Sequence, residues 1–201
     1  MATVLFWTVL GFFSGSLMLA YWLGHLVLHA DVRTASPDGN PGAGNVWRAG
    51  GGWRLGVPAA LLDYSKAALP VALAHYGSGV SGWGLVPVGL APLLGHVFSP
   101  FMRFRGGKGV AATFGIWTGL TGLGGPLAFG VAAGVAWRGQ AGDGWSMVWG
   151  MVGLLTYLVV FNRALPLLTI WTIDLVLIAW RHRDQLREPA RLRSFRQPRV
   201  G

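Results

Sequence analysis

The chain has 201 residues, 53% hydrophobic and only 11% charged, with a mean hydropathy of +0.50, a balance that excludes an ordinary water-soluble domain and points to an integral membrane protein. Lys and Arg number 16 against 7 Asp and Glu, a formal net charge of +9, which in a membrane chain sets topology and attracts anionic headgroups or phosphorylated substrates rather than nucleic acid. Cysteine is absent, so disulfides, thiolate metal sites and a cysteine nucleophile are excluded.

Apolar runs place a first span at about Val4 to Leu28, with Gly11, Ser14, Gly15, Ser16 and Ala20 spaced along it for close helix approach. A glycine-rich loop, His29 to Trp53, follows and carries Arg33 and Arg48. The second span, about Gly56 to Tyr76, holds Asp63 and Lys66, an acid and a base three residues apart on one helical face, which are expected to pair near the polar boundary. A third span runs from about Trp83 to Phe98, then the basic loop Ser99 to Gly109. Two short pieces follow, about Val110 to Leu120 and Pro126 to Trp137, each too short to cross an average bilayer upright. After the polar segment Arg138 to Trp145 come spans at about Ser146 to Phe161 and Leu165 to Trp180, the last with Asp174 inside it. From Arg181 the chain is a basic tail, expected on the membrane surface or disordered.

The expectation is therefore all-α: one domain over residues 1–201, a polytopic membrane helical bundle of about seven transmembrane helices, two of them short. That odd count puts the loops around Arg48, Lys108 and Arg138 on the same side as the tail. The positive-inside rule makes that side cytoplasmic and the N-terminus external.

Two loop motifs carry chemistry. Asp38-Gly39-Asn40-Pro41-Gly42-Ala43-Gly44-Asn45 has the composition of a tight turn, and Arg48 supplies a fixed cation three residues beyond Asn45, where successive amides can hold phosphate oxygens. Arg103-Phe104-Arg105-Gly106-Gly107-Lys108-Gly109 lacks P-loop spacing, so nucleotide triphosphate hydrolysis is not indicated. Lys108 is expected to project from the first turn of a helix, where the dipole favours an anion. The bland alternatives are an ordinary surface turn and a basic stop signal flanking a helix. No histidine pair has metal-ligand spacing; His96 reads as a structural hydrogen-bonding residue, and His182 as a headgroup or substrate contact. Ser146 is either a helix cap or a hydrogen-bond donor to substrate.

Together these motifs resemble the bacterial integral-membrane glycerol-3-phosphate acyltransferases that use acyl phosphate as donor. The first motif of that family is similar to Asp38 through Arg48, the second to Gly95-His96 through Thr113, a third to Leu62 through Pro70, and its final segment to Arg181-His182-Arg183. The sequence departs from the family at Asp38, where a serine is usual, at Gly44 in place of threonine, and at Gln185 in place of asparagine. An acid at 38 repels a phosphate unless it contacts Arg33 or Arg48. The resemblance implies transfer of an acyl chain from acyl phosphate to the 1-hydroxyl of glycerol 3-phosphate, with membrane lipid around the site and no cofactor, metal or nucleic acid. It assigns Arg48, Lys108, Ser146 and His182 to catalysis and Asp38, Gly39, Asn40, Gly42, Asn45, Arg105, Gly106, Gly107 and Gln185 to substrate binding. The rival reading is a divergent membrane protein that binds or carries a phosphorylated solute or phospholipid without chemistry.

Overall fold

The computed structural model describes residues 1–139 and 142–190. Gln140 and Ala141 of the third polar segment, and the tail beyond residue 190, lie outside the described residues. Among the described residues there is no strand. The helices are α1 (Ala2–Ser16), α2 (Leu19–Leu28), α3 (Ala43–Val46), α4 (Gly52–Ala72), α5 (Leu85–Val97), α6 (Val110–Thr121), α7 (Gly124–Gly139), α8 (Asp143–Phe161), α9 (Leu165–Arg181) and α10 (Arg183–Leu186). The chain is an all-α membrane bundle, in which the seven expected units are α1 with α2, then α4 through α9. Among the described residues four helical stretches, Ala2–Leu28, Ala43–Gly77, Gly82–Met102 and Asp143–Phe161, are long and apolar enough to cross a membrane.

The apolar pattern decides what each helix faces. On α4 the buried residues Gly56, Ala59, Asp63, Lys66, Ala67 and Val71 form one stripe, while Val57, Leu61 and Leu69 are exposed on the outside, where lipid tails solvate them. Helix–helix approach relies on small residues, because apolar burial supplies no driving force between helices in hydrocarbon. Gly15 of α1 lies against the backbone of Pro92, and Gly95 of α5 against the Phe12 carbonyl, so a side chain at either position would overlap the opposite helix. Gly115 and Gly119 bring α6 onto α4 in the same way, and Gly153 brings α8 onto α7.

One irregularity shapes the site. The apolar run read as a single first span breaks at Leu17 and Met18, where Leu17 is extended and Met18 too leaves the helical region between α1 and α2. Freed backbone groups inside a bilayer need internal partners. Lys66 Nζ donates to the Leu17 carbonyl, Ser99 Oγ donates to the Ser16 carbonyl at 2.6 Å, and Asp63 Oδ1 accepts from the Ala20 amide at 3.5 Å. Asp63 and Lys66 pair at 2.8 Å with both side chains only 2% exposed. The expected i,i+3 pair therefore forms, buried within the bundle, where it serves the helix break. Asp174 is buried too, accepting from Thr113 Oγ1 at 3.0 Å and Trp117 Nε1 at 2.8 Å, which ties α9 to α6.

Candidate active site

At one end of the bundle the loop after α2 folds over the turn between α5 and α6. Asp31 caps its first turn and pairs with Arg33 at 2.5 Å, which removes Arg33 as a partner for Asp38. Gly39, at φ +60, reverses the chain. Asn45 is fully buried: its Nδ2 donates to Ser36 Oγ and to the Asn40 carbonyl, both at 2.7 Å, and its Oδ1 accepts from Arg48 Nη1 at 3.2 Å. This knot fixes the loop and aims the guanidinium. It also occupies Asn45 within the protein, and the Gly39 and Asn40 amides are likewise spent on Ser36 O and Asp38 Oδ1. The expected cradle of free amides from Gly39 to Gly42 is thus partly closed by the loop's own turns.

The α5–α6 turn is built similarly. Gly106 N donates to the Val97 carbonyl at 3.1 Å and Gly107 N to the His96 carbonyl at 3.0 Å, so these two amides staple the turn to the end of α5 instead of facing an oxyanion. A Cβ at Gly106 would strike the His96 carbonyl, and one at Gly107 the His96 ring, which explains the paired glycines sterically. Arg181 Nη2 reaches the Gly106 carbonyl at 2.6 Å. Arg105 points away and is exposed. Lys108 precedes α6 by two residues, rather than sitting in its first turn, and its Nζ lies 2.6 Å from Asp38 Oδ2.

These elements enclose a cavity of about 1130 Å³. Among the residues lining it are Asp38, Asn40, Gly42, Arg48, Lys108, His182 and Gln185, expected from the sequence, and His96, Arg181 and Ser36, which were not counted as site residues. Ser146 is buried behind Gly142, to whose carbonyl its Oγ donates at 3.4 Å, and it does not line the cavity. Neither do Gly39, Asn45, Arg105, Gly106 or Gly107. Four buried side-chain atoms among the described residues lack a hydrogen-bond partner: Asn40 Oδ1, His96 Nδ1, Arg181 Nε and Gln185 Oε1. Every one belongs to a residue lining this cavity, and unsatisfied buried polar atoms gathered in one place mark a polar ligand site.

The electrostatics suit an anion. Burial pushes the Asp38 carboxyl up, but the hydrogen bonds from Lys108, Ser36 and the Asn40 amide, with the Lys108 charge, outweigh it and bring the pKa down to about 2. Burial pushes the His182 imidazole down, assisted by Lys108 and Arg181 and opposed by the Ile178 carbonyl and Asp143. With Nδ1 2.8 Å from that carbonyl, a neutral ring donates there and leaves Nε2 as an acceptor. Among the described residues no group of three or more His, Cys, Asp or Glu is placed to hold a metal ion.

A family model described as Glycerol-3-phosphate acyltransferase matches residues 5–191. The Glycerol-3-phosphate acyltransferase 1 of Thermotoga maritima is 33% identical over 190 residues, covering 88% of this chain and 92% of that protein. The Glycerol-3-phosphate acyltransferase of Anaeromyxobacter sp. is 35% identical over 187 residues, covering 90% of each. Among solved structures, PlsY (YgiH), an integral membrane glycerol 3-phosphate acyltransferase, superposes in its glycerol 3-phosphate form with a TM-score of 0.83 at 28% identity, covering 92% of this chain and 90% of that one. Its lysophosphatidic acid form gives a TM-score of 0.78 at 26% identity with the same coverage.

Proposed function

The chain belongs to the glycerol-3-phosphate acyltransferase family, and from that premise we propose that one membrane domain transfers an acyl chain from acyl phosphate to the 1-hydroxyl of glycerol 3-phosphate, releasing lysophosphatidic acid and inorganic phosphate. The observation that carries this reading is the convergence of Arg48, Lys108, Arg181 and His182 on a single cavity together with all four unpartnered buried polar atoms. Both substrates carry phosphate, and a basic pocket at the end of a lipid-embedded bundle can hold their headgroups while the acyl tail stays among the helices.

The glycerol hydroxyl oxygen attacks the acyl carbonyl carbon. The new ester C–O bond forms as the C–O bond to phosphate breaks, the electron pair leaves with the phosphate oxygen, and the hydroxyl proton passes to the departing phosphate. No covalent enzyme intermediate is needed. Arg48 and Lys108 neutralise phosphate charge as it develops. His182 Nε2 and Gln185 Oε1 accept from glycerol hydroxyls and orient the attacking oxygen. Behind the cavity wall Asn45 fixes Arg48, the Gly106 and Gly107 amides fix the turn that carries Lys108, and Ser146 bonds the Gly142 carbonyl at the start of α8.

Sidedness follows from charge. Arg33, Arg48, Arg54, Arg103, Arg105, Lys108, Arg138, Arg181, Arg183 and Arg187 fall in or beside the segments at the cavity end, while Arg163 lies in a turn at the opposite end. The cavity and C-terminus accordingly face the cytoplasm and the N-terminus faces outward. Purified protein incubated with labelled glycerol 3-phosphate and synthetic acyl phosphate should form a chloroform-extractable product. Uptake of label into vesicles without product would instead assign a carrier.

A further inference from the structure

The surroundings of Asp38 are those of an oxyanion. One carboxylate oxygen lies 2.6 Å from Lys108 Nζ; the other accepts from Ser36 Oγ at 2.5 Å and from the Asn40 amide at 3.2 Å. An ammonium, a hydroxyl and a backbone amide converging on two oxygens form a receptor that would serve equally for two oxygens of a phosphate group. Asp38 also lies within Coulombic reach of Arg181, whose Nε is buried and unpartnered. The carboxylate therefore sits among the cations of the cavity rather than on its rim. The loop backbone is fixed, but the carboxylate itself can swing away: its side chain is 40% exposed against 16% for Lys108, and the space beside Gly39 is open, with nothing within 4 Å of a notional side chain there.

We propose that Asp38 is a resident anion of the phosphate subsite: its carboxylate holds Lys108 in the empty protein and must leave when a phosphate-bearing substrate enters. This rests on the acyltransferase reading for the identity of the substrates, but the subsite chemistry, a phosphate monoester or acyl phosphate against Lys108, is independent of turnover. Asp38 is then a specificity-determining residue that acts on binding. It lowers phosphate affinity by the free energy of the contact it makes, and it prevents Lys108 from collapsing onto another acceptor between turnovers.

The test uses the full chain in detergent micelles, with Asp38→Ser and Asp38→Asn. Inorganic phosphate is titrated and the midpoint of thermal stabilisation read for each. The expected result is a midpoint about fivefold lower in both variants, the factor set by breaking one half-exposed ion pair. An unchanged or higher midpoint in either folded variant overturns the proposal, since a carboxylate that merely braces the loop would weaken phosphate binding when removed. Should Asp38→Ser fail to fold, Asp38→Asn, which keeps the shape and an acceptor oxygen, decides alone. KM measured separately for glycerol 3-phosphate and for acyl phosphate identifies which phosphate displaces Asp38: a fall in either supports the proposal, and no fall in both refutes it. A wild-type protein that makes no lysophosphatidic acid sinks the acyltransferase reading and leaves the phosphate midpoints to judge the resident anion.

Discussion

Replacing Lys66 by methionine isolates what the buried ion pair contributes to the bundle and, through it, to the cavity. Asp63 and Lys66 are each 2% exposed and 2.8 Å apart, and Lys66 also covers the Leu17 carbonyl at the α1–α2 break. Lys66→Met leaves the carboxylate in the interior with no cation beside it and only backbone amides, those of Ala20 at 3.5 Å and Leu19, to hold it. Stranding one member of a buried pair costs about 3–5 kcal/mol. Removing both charges costs less, because no uncompensated ion remains; what persists is the loss of the donor to Leu17, about 1–3 kcal/mol. The double variant Asp63→Asn/Lys66→Met should therefore be more stable than Lys66→Met alone. Reversible unfolding in mixed micelles, run as a double-mutant cycle, reads the difference. If the double variant is as unstable as Lys66→Met or worse, the pair is not a coupled unit and the account of the helix break is wrong. Because Asp63 also lines the cavity, Lys66→Met should in addition lower turnover although Lys66 does not itself line it.

Further expectations follow from the site. Lys108→Ala should reduce kcat by about 10²- to 10³-fold, the usual scale for one group stabilising developing charge, while circular dichroism shows an intact bundle; near-normal turnover would remove Lys108 from the chemistry. Gly107→Ala drives a methyl into the His96 ring, so it should destabilise the α5–α6 turn by about 1–3 kcal/mol and lower activity, seen as a reduced Tm together with a raised KM. His182 has its pKa lowered in the folded state, so the unfolded chain binds more protons between that value and the ordinary histidine range near 6.5. Its contribution to stability is present above about pH 6.5 and is lost as pH falls toward the folded value. His182→Asn should flatten that part of a Tm-against-pH curve, and an unaltered slope would mean another group causes it.

The helices are legible in the sequence because the apolar runs end at glycine, proline, charged or small polar residues: the expected boundaries near Val110, Phe161 and Leu165 coincide with helix ends. The break at Leu17 and Met18 was not, since nothing local marks it. Its cause lies in Lys66, Asp63 and Ser99, far along the chain. The same locality limits the site. Arg48, Lys108 and His182 stood out as cations and a titratable ring beside glycines, and they do face one cavity. What composition could not convey is which hydrogen-bond donors the protein spends on itself. The amides of Gly106 and Gly107 looked available but hold the end of α5, and Asp38, expected to need Arg33 or Arg48, pairs with Lys108 because Arg33 is engaged by Asp31 and Arg48 by Asn45. The Asp38-Gly39-Asn40 spacing, in which the Asp38 carboxylate accepts from the backbone amide two residues on, is the local signal for that turn.

The most direct test is the acyl-transfer reaction itself. Pure protein, synthetic acyl phosphate and labelled glycerol 3-phosphate should yield lysophosphatidic acid and an equal amount of inorganic phosphate, with product lost in Arg48→Ala and Lys108→Ala. Absence of product from the folded wild-type protein, or equal product from those variants, would contradict the account.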